Sequence, residues 1–154
     1  MRFPVRTLTL LIVLFMGTSA LINAGLFSFR VYEPVKYRLL PPGYVIGTIW
    51  MALIGAMAYS QFLVMRSTAS GYVEWLIPGL FLYCIMYPFY TSQFQDRTVS
   101  QYANLGSILV SFVVAVLVYR ISAVASALIA WTTVWASYAT WATFDATLFS
   151  LPSS

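Results

Sequence analysis

The sequence has no histidine, a single cysteine and only four carboxylates among its 154 residues. Without an imidazole, Ser-His-Asp and Cys-His catalysis and histidine metal sites are excluded. Cys84 cannot form an internal disulfide, and its apolar surroundings favour a buried, unreactive thiol. A paired acid and base would have to be assembled from distant segments, because the carboxylates are the widely separated Glu33, Glu74, Asp96 and Asp145.

Charge is also scarce. Charged residues make up 8% of the chain, apolar residues make up 61%, and the mean hydropathy is +0.84. A typical soluble domain is about 25% charged and about 45 to 50% apolar. Five membrane spans of about 20 residues would occupy about 100 residues, which leaves about 50 for loops. The composition therefore predicts an all-α, polytopic membrane protein with the lipid bilayer as its first partner.

The net charge of +4 does not indicate binding to nucleic acid. The eight basic residues occur singly between apolar runs, as is typical of the ends of membrane-protein loops. Each side of the predicted topology carries four of them, so the positive-inside rule gives no orientation beyond termini on opposite faces. Arg30, Lys36 and Arg38 fall in the first loop. They either contact anionic lipid headgroups or are simply solvated, and the sequence leaves both interpretations open.

The apolar residues fall into five segments, and we expect five transmembrane helices in a single domain covering 1–154. The predicted spans are about 7–27, 43–65, 72–94, 98–119 and 123–148. The first could instead be a signal peptide, but its apolar character continues through Leu26, which favours a retained helix. The loop from Ser28 to Pro42 is long enough to fold over one mouth of the bundle. Pro78 and Pro88 predict a kinked third helix.

Aromatic residues reach 18% and cluster in the third and fifth spans. Trp131, Trp135 and Tyr138 follow helical spacing and are predicted to share a face, which could clamp a flat aromatic ligand. Aromatic side chains also fill cores and form interfacial belts, so the pattern leaves both interpretations open. Asp145, one turn further, is either a functional carboxylate or an interfacial one.

Residues 135–143 resemble the closing helix of the TspO/MBR family, the tryptophan-rich sensory and translocator proteins. Trp135, Tyr138 and Ala139 match its W-x-x-F/Y-A pattern. The start of the second span is similar to the family's P-P-x-W-x-x-x-x-x-W stretch, with Pro41-Pro42 and Trp50 matching. Pro88 falls where the family's third helix carries W-T-P. The resemblance covers about 41–143 and the order of the five spans.

The sequence departs from the family pattern at several positions. Tyr44 replaces the first tryptophan, Thr48 replaces a proline, and Thr143 replaces an asparagine. Tyr83 and Met86 stand where the third helix usually has asparagine and tryptophan. The chain is thus identified as a divergent member of the family.

The resemblance implies a five-helix bundle, commonly a homodimer, with a pocket beneath the first loop. The family is associated with porphyrins, haem and other tetrapyrroles, with sterols and with flat aromatic drugs, in transport or sensing. No cofactor is obligatory, and no catalytic or metal residue is expected. Carried over position by position, the expected ligand-binding residues are Tyr44, Trp50, Tyr83, Tyr87, Trp135 and Tyr138.

We therefore expect a non-enzymatic, multi-pass receptor or carrier in a bacterial or organellar membrane. The alternative is a non-catalytic accessory subunit of a larger membrane complex that has kept the bundle and lost the pocket. Enzymatic breakdown of a porphyrin is a third, less favoured hypothesis.

Overall fold

The computed structural model describes residues 5–28, 39–67, 71–92 and 97–148. All regular secondary structure in these ranges is helical, which confirms the expected all-α class. The predicted contacts of Arg30, Lys36 and Arg38, and the side chain of Asp145, lie outside the described residues. The helices are α1 (Val5–Ser28), α2 (Gly43–Met65), α3 (Val73–Ile85), α4 (Tyr87–Ser92), α5 (Arg97–Tyr119) and α6 (Ala123–Leu148).

Three stretches are long and apolar enough to cross a membrane, namely Arg6–Gly25, Gly43–Met65 and Thr98–Tyr119, and Val73–Phe89 is a shorter apolar helical segment. α6 has 26 residues, enough to span a bilayer, but its tryptophans and hydroxyl side chains lower its hydropathy. These helices confirm an integral, multi-pass membrane protein.

The third predicted span is interrupted, as its prolines indicate. α3 continues through Pro78 and ends at Ile85, and α4 begins at Tyr87, just before Pro88. Pro88 has no N–H to donate to the carbonyl of Cys84, so the helical hydrogen-bond ladder cannot run through this point. The N–H of Phe89 instead donates to the carbonyl of Met86 at 3.0 Å, which tightens the backbone there. The third span is therefore broken at Met86, beside Pro88, and continues through Pro78.

Local backbone features mark the starts of α2, α3 and α6. The carbonyl of Pro42 accepts the N–H groups of Val45 at 2.9 Å and Ile46 at 3.1 Å, so the proline pair leads directly into α2. Gly71 has φ +47° in the turn before α3, a left-handed conformation that side chains disfavour. Ser122 caps α6 by accepting the N–H of Ala125 at 3.2 Å.

α2, α6, α5 and α3 pack in a closed ring in that order, and α1 lies against α2 and α3. Phe15 of α1 stacks on Phe81 of α3, with ring centroids 4.3 Å apart. The core between the helices is built from aliphatic side chains such as Ile54, Met57 and Ile77, which are fully buried. The outward faces of the helices carry exposed aliphatic residues, as lipid contact requires.

The most extensive helix pair is α5 with α6, and it is held by hydroxyl groups as well as by packing. Ser126 Oγ donates to the carbonyl of Ala115 at 2.7 Å, and Ser111 Oγ lies 2.9 Å from Thr133 Oγ1. In a membrane the hydrophobic effect does not drive helices together, so close packing of small residues and such interhelical hydrogen bonds stabilise the pair.

Candidate functional site

The two best-matched tryptophans lie level with each other on neighbouring helices. Ser60 Oγ of α2 lies 3.1 Å from the carbonyl of Ala125 of α6 and 2.8 Å from the carbonyl of Ala56 on its own helix. Trp50 is ten residues before Ser60 and Trp135 is ten residues after Ala125. Because α2 and α6 are antiparallel, the Cα atoms of both tryptophans lie about 15 Å along the helix axes from that contact, on the side of the first loop.

Both indoles are half-buried, so each combines packing contacts with accessible surface. Trp50 packs against the hydrophobic core. The ring of Trp135 lies 5.6 Å from that of Tyr138, centroid to centroid, with the planes tilted by 34°. The structure therefore brings Trp50, Trp135 and Tyr138 to one end of the α2–α6 pair.

Tyr138 connects this cluster to the end of the first loop. Its phenol donates to the main-chain carbonyl of Leu39 at 2.6 Å. Leu39 precedes the proline pair that starts α2, so this hydrogen bond fixes the loop end over α6. The sequence predicted a ring contact from Tyr138; its hydrogen bond to the loop could not be read from spacing along one helix.

Tyr83 and Tyr87 lie on other helices, α3 and α4. Tyr83 of α3 donates from its hydroxyl to the carbonyl of Ala103 on α5 at 3.4 Å. Gly106, one turn along α5, makes room for this phenol, because a Cβ there would lie 2.5 Å from its oxygen. Tyr87 opens α4 and is half-buried. Two of the six expected residues thus lie on α3 and α4, apart from the four on α2 and α6.

Two aromatic residues lie away from the interior. Tyr44 is 79% exposed at the start of α2, and Trp131 is 63% exposed on α6. Trp131 therefore turns away from the interior, although its spacing with Trp135 and Tyr138 predicts a shared helix face. The buried face of α6 is instead a stripe of small or aliphatic residues at steps of three or four, namely Ala125, Ile129, Thr132, Ala136, Thr140 and Thr143.

The physical reason is the closeness of the neighbouring helices. Small residues let backbones approach, whereas indoles on that face would hold α5 and α2 apart. The small-residue stripe was legible in the sequence as a signal for the inward face, and it outweighs the aromatic spacing.

An open groove of about 410 Å³ lies elsewhere, between α5 and α6. None of the six expected residues lines it. Its lining residues are Phe112, Ala115, Val116, Tyr119, Ser126, Ala130, Thr133 and Val134. Sequence reasoning missed this groove, although Ser126 and Ala130 are a small pair four residues apart on one helix.

The described structure offers few polar groups for chemistry beyond the aromatic side chains. Among the side chains that the structure describes, no group of three His, Cys, Asp or Glu could hold a metal ion. Gln61 Oε1 and Thr132 Oγ1 are buried polar atoms without a hydrogen-bond partner in the described part of the chain. The α2–α6 cluster can therefore offer ring faces, indole N–H groups and a phenol to a ligand.

A search of curated proteins gave no match. The model of the TspO/MBR family matches residues 7–148, a range that runs from the first turn of α1 to the end of α6. Because the match covers most of the chain, it agrees with the resemblance seen around the proline pair and the last helix. The chain belongs to the TspO/MBR family.

Proposed function

We propose that this protein is a non-enzymatic membrane receptor or carrier that binds a planar hydrophobic ligand, such as a porphyrin, another tetrapyrrole or a sterol. The observation that carries the proposal is the position of Trp50 and Trp135, level with each other on adjacent helices and both half-buried. The binding residues on this proposal are Trp50, Trp135 and Tyr138, with Tyr44 at the mouth.

The physical basis is stacking. A large planar ring buries much apolar surface against an indole, and aromatic pairs add about 0.5 to 1.5 kcal/mol beyond that burial. Indole N–H groups and the Tyr138 hydroxyl can fix the orientation of polar substituents on the ring. The chain has no histidine to serve as an axial ligand of haem, and on this proposal haem binds by stacking of its ring face.

The hydrogen bond between Tyr138 and Leu39 controls access on this proposal. A ligand that stacks on Trp135 lies next to the Tyr138 ring, whose centroid is 5.6 Å from that of Trp135. Entry from the side of the first loop would require this hydrogen bond to open and close again.

Titration of the purified protein with protoporphyrin tests the proposal, with binding followed by the absorbance of the porphyrin itself. We expect saturable binding that Trp135→Ala weakens at least tenfold. Trp131→Ala is the matched control, because Trp131 lies one turn away on the same helix and is 63% exposed. Non-saturable binding, or equal loss in both variants, would overturn the proposal.

The accessory-subunit alternative is favoured by a separate observation, the outward position of three of the five tryptophans. Trp75, Trp131 and Trp141 are 77%, 63% and 58% exposed. Large aromatic side chains are enriched at interfaces with other proteins as well as at membrane surfaces. Purification in mild detergent distinguishes the hypotheses: a stoichiometric partner supports the subunit, and a pigment-binding protein without one supports the receptor.

A further inference from the structure

The groove between α5 and α6 runs along the helices from the membrane surface towards the interior. One wall is formed by Phe112, Val116 and Tyr119 of α5, which are 56%, 49% and 66% exposed. The opposite side is formed by α6 from Ser126 to Val134. Tyr119 is seven positions after Phe112 on α5, so the groove is about 10 Å long.

The floor of the groove presents apolar surface even though two of its residues carry hydroxyls. Ser126 donates its hydroxyl to the carbonyl of Ala115, and Thr133 is hydrogen-bonded to Ser111. Both groups are satisfied inside the helix pair, so the floor offers hydrocarbon contact. Polar groups that commonly join one transmembrane helix to another are therefore not presented to a partner here.

The lining of the groove favours hydrocarbon as its occupant. Six of its eight lining residues are aliphatic or aromatic, and the two hydroxyls are used within the helix pair. A length of about 10 Å along the helices suits part of an extended acyl chain.

A positively charged side chain, that of Arg120, lies at the surface end of the groove. Arg120 follows Tyr119 directly and is four residues beyond Val116, which continues the line of the α5 wall. Arg120 is exposed and has no ion pair or hydrogen bond with any side chain that the structure describes. The span Thr98–Tyr119 ends immediately before it, which places the guanidinium at the depth of lipid headgroups.

We propose that this groove binds an anionic phospholipid, with one acyl chain along the α5–α6 floor and the phosphate beside Arg120. An arginine recognises phosphate through several N–H donors at once, and it attracts an anionic headgroup more than a zwitterionic one. Tyr119 lies between headgroup and chain, at the level that amphipathic tyrosines prefer. The site does not depend on the proposed porphyrin site, which involves other residues.

Native mass spectrometry of the purified full chain tests the proposal, with phosphatidylglycerol and phosphatidylcholine of the same acyl chains as probes. We expect phosphatidylglycerol to bind about fivefold more tightly, the contribution of one arginine near an anionic surface. Arg120→Gln should reduce its binding to the phosphatidylcholine level. Ala130→Phe, which fills the floor, should reduce the binding of both lipids.

Two control variants separate the site from general lipid contact. Arg66→Gln removes another exposed arginine at a helix end, and Ala127→Phe adds a ring to an exposed position of α6 outside the groove. Both should bind lipid like the parent protein. Arg120→Gln leaves the packing untouched, so the proposal stays testable even where Ala130→Phe fails to fold.

The proposal is overturned by equal binding of the two lipids to the parent protein, or by Arg120→Gln and Arg66→Gln behaving alike. It is also overturned where glycerol phosphate, a headgroup without chains, competes as well as the whole lipid. A dimer that excludes lipid and that Ala130→Phe dissociates would assign the groove to a second copy instead.

Discussion

Gln61 of α2 donates from its Nε2 to the main-chain carbonyl of Glu74 on α3, across 3.1 Å. Glu74 is four residues before Pro78, which lies inside α3 and has no N–H to offer that carbonyl. A neighbouring helix therefore supplies the donor that the proline removes. This compensation explains how α3 continues through Pro78 within a membrane, where exposed backbone groups are costly.

The first prediction concerns this pair. Gln61→Met removes the donor, and Pro78→Ala restores an intrahelical N–H to the Glu74 carbonyl. We expect Gln61→Met to destabilise the parent protein by about 0.6 kcal/mol more than it destabilises the Pro78→Ala variant, which is the average for hydrogen bonds between membrane helices. The free energy of unfolding of the four proteins, measured by SDS titration in mixed micelles, gives this coupling.

The coupling is the quantity to measure because the single variant has two effects. Gln61 Oε1 is buried without a partner in the described structure, so Gln61→Met also removes an unsatisfied oxygen. The stability gained by removing this oxygen is the same in the parent protein and in the Pro78→Ala variant, so it cancels in the double-mutant cycle of the four proteins. Strictly additive effects would show that Gln61 does not compensate for Pro78.

The second prediction concerns the hydrogen bond that ties the first loop to α6. Tyr138→Phe removes the donor to Leu39 and keeps the ring next to Trp135. We expect protoporphyrin to dissociate several-fold faster from this variant in stopped-flow displacement, because the loop end is no longer held. Tyr102→Phe is the control, since Tyr102 is 69% exposed on α5 and its ring lies outside the cluster; equal rates in both variants would contradict the prediction.

Much of this architecture could be predicted from the sequence, and the reasons are local. Pro41-Pro42 set the start of α2, and Pro88 set the break between α3 and α4, because a missing N–H acts within one turn. The apolar segments set the number of spans, because a bilayer requires a fixed length of helix.

The arrangement of the aromatic side chains was less predictable. Trp131 and Trp135 have the spacing of one helix face, yet one is 63% exposed and the other is half-buried. Which side of a helix turns inward is decided by the neighbours, and in α6 the closely packed small residues decide it. The contact of Tyr138 with Leu39 joins residues 99 positions apart, so no local pattern could indicate it.

The third prediction concerns the turn before α3. Gly71 has φ +47°, where a Cβ is strained even in open space. We expect Gly71→Ala to destabilise the protein by about 1 to 2 kcal/mol, the cost of a left-handed conformation for an L-residue. Gly79→Ala is the control, because Gly79 lies inside α3 and a Cβ added there would meet no neighbouring side chain within 4 Å. It should be neutral or stabilising by up to about 1 kcal/mol in the same unfolding measurement.

The last prediction concerns the hydroxyl chain between α5 and α6. Ser111 Oγ lies 2.6 Å from the carbonyl of Ser107 and 2.9 Å from Thr133 Oγ1. A carbonyl can only accept, so Ser111 uses its single hydrogen on Ser107, and Thr133 is the donor to Ser111. The chain of hydrogen bonds therefore runs from Thr133 on α6 to Ser111 on α5 and ends at the main-chain carbonyl of Ser107.

This direction makes Ser111 the more costly residue to lose. Ser111→Ala leaves both the Thr133 hydroxyl and the Ser107 carbonyl without this partner, whereas Thr133→Val leaves the Ser111 hydrogen bond to Ser107 intact. We expect the two substitutions to couple by about 0.6 kcal/mol and at most about 1.7 kcal/mol in SDS unfolding. Ser111→Ala with Ser60→Ala is the control pair, because Ser60 Oγ faces the carbonyls of Ala56 and Ala125 instead, so the two effects should add independently. A larger loss from Thr133→Val than from Ser111→Ala would reverse the assigned donor.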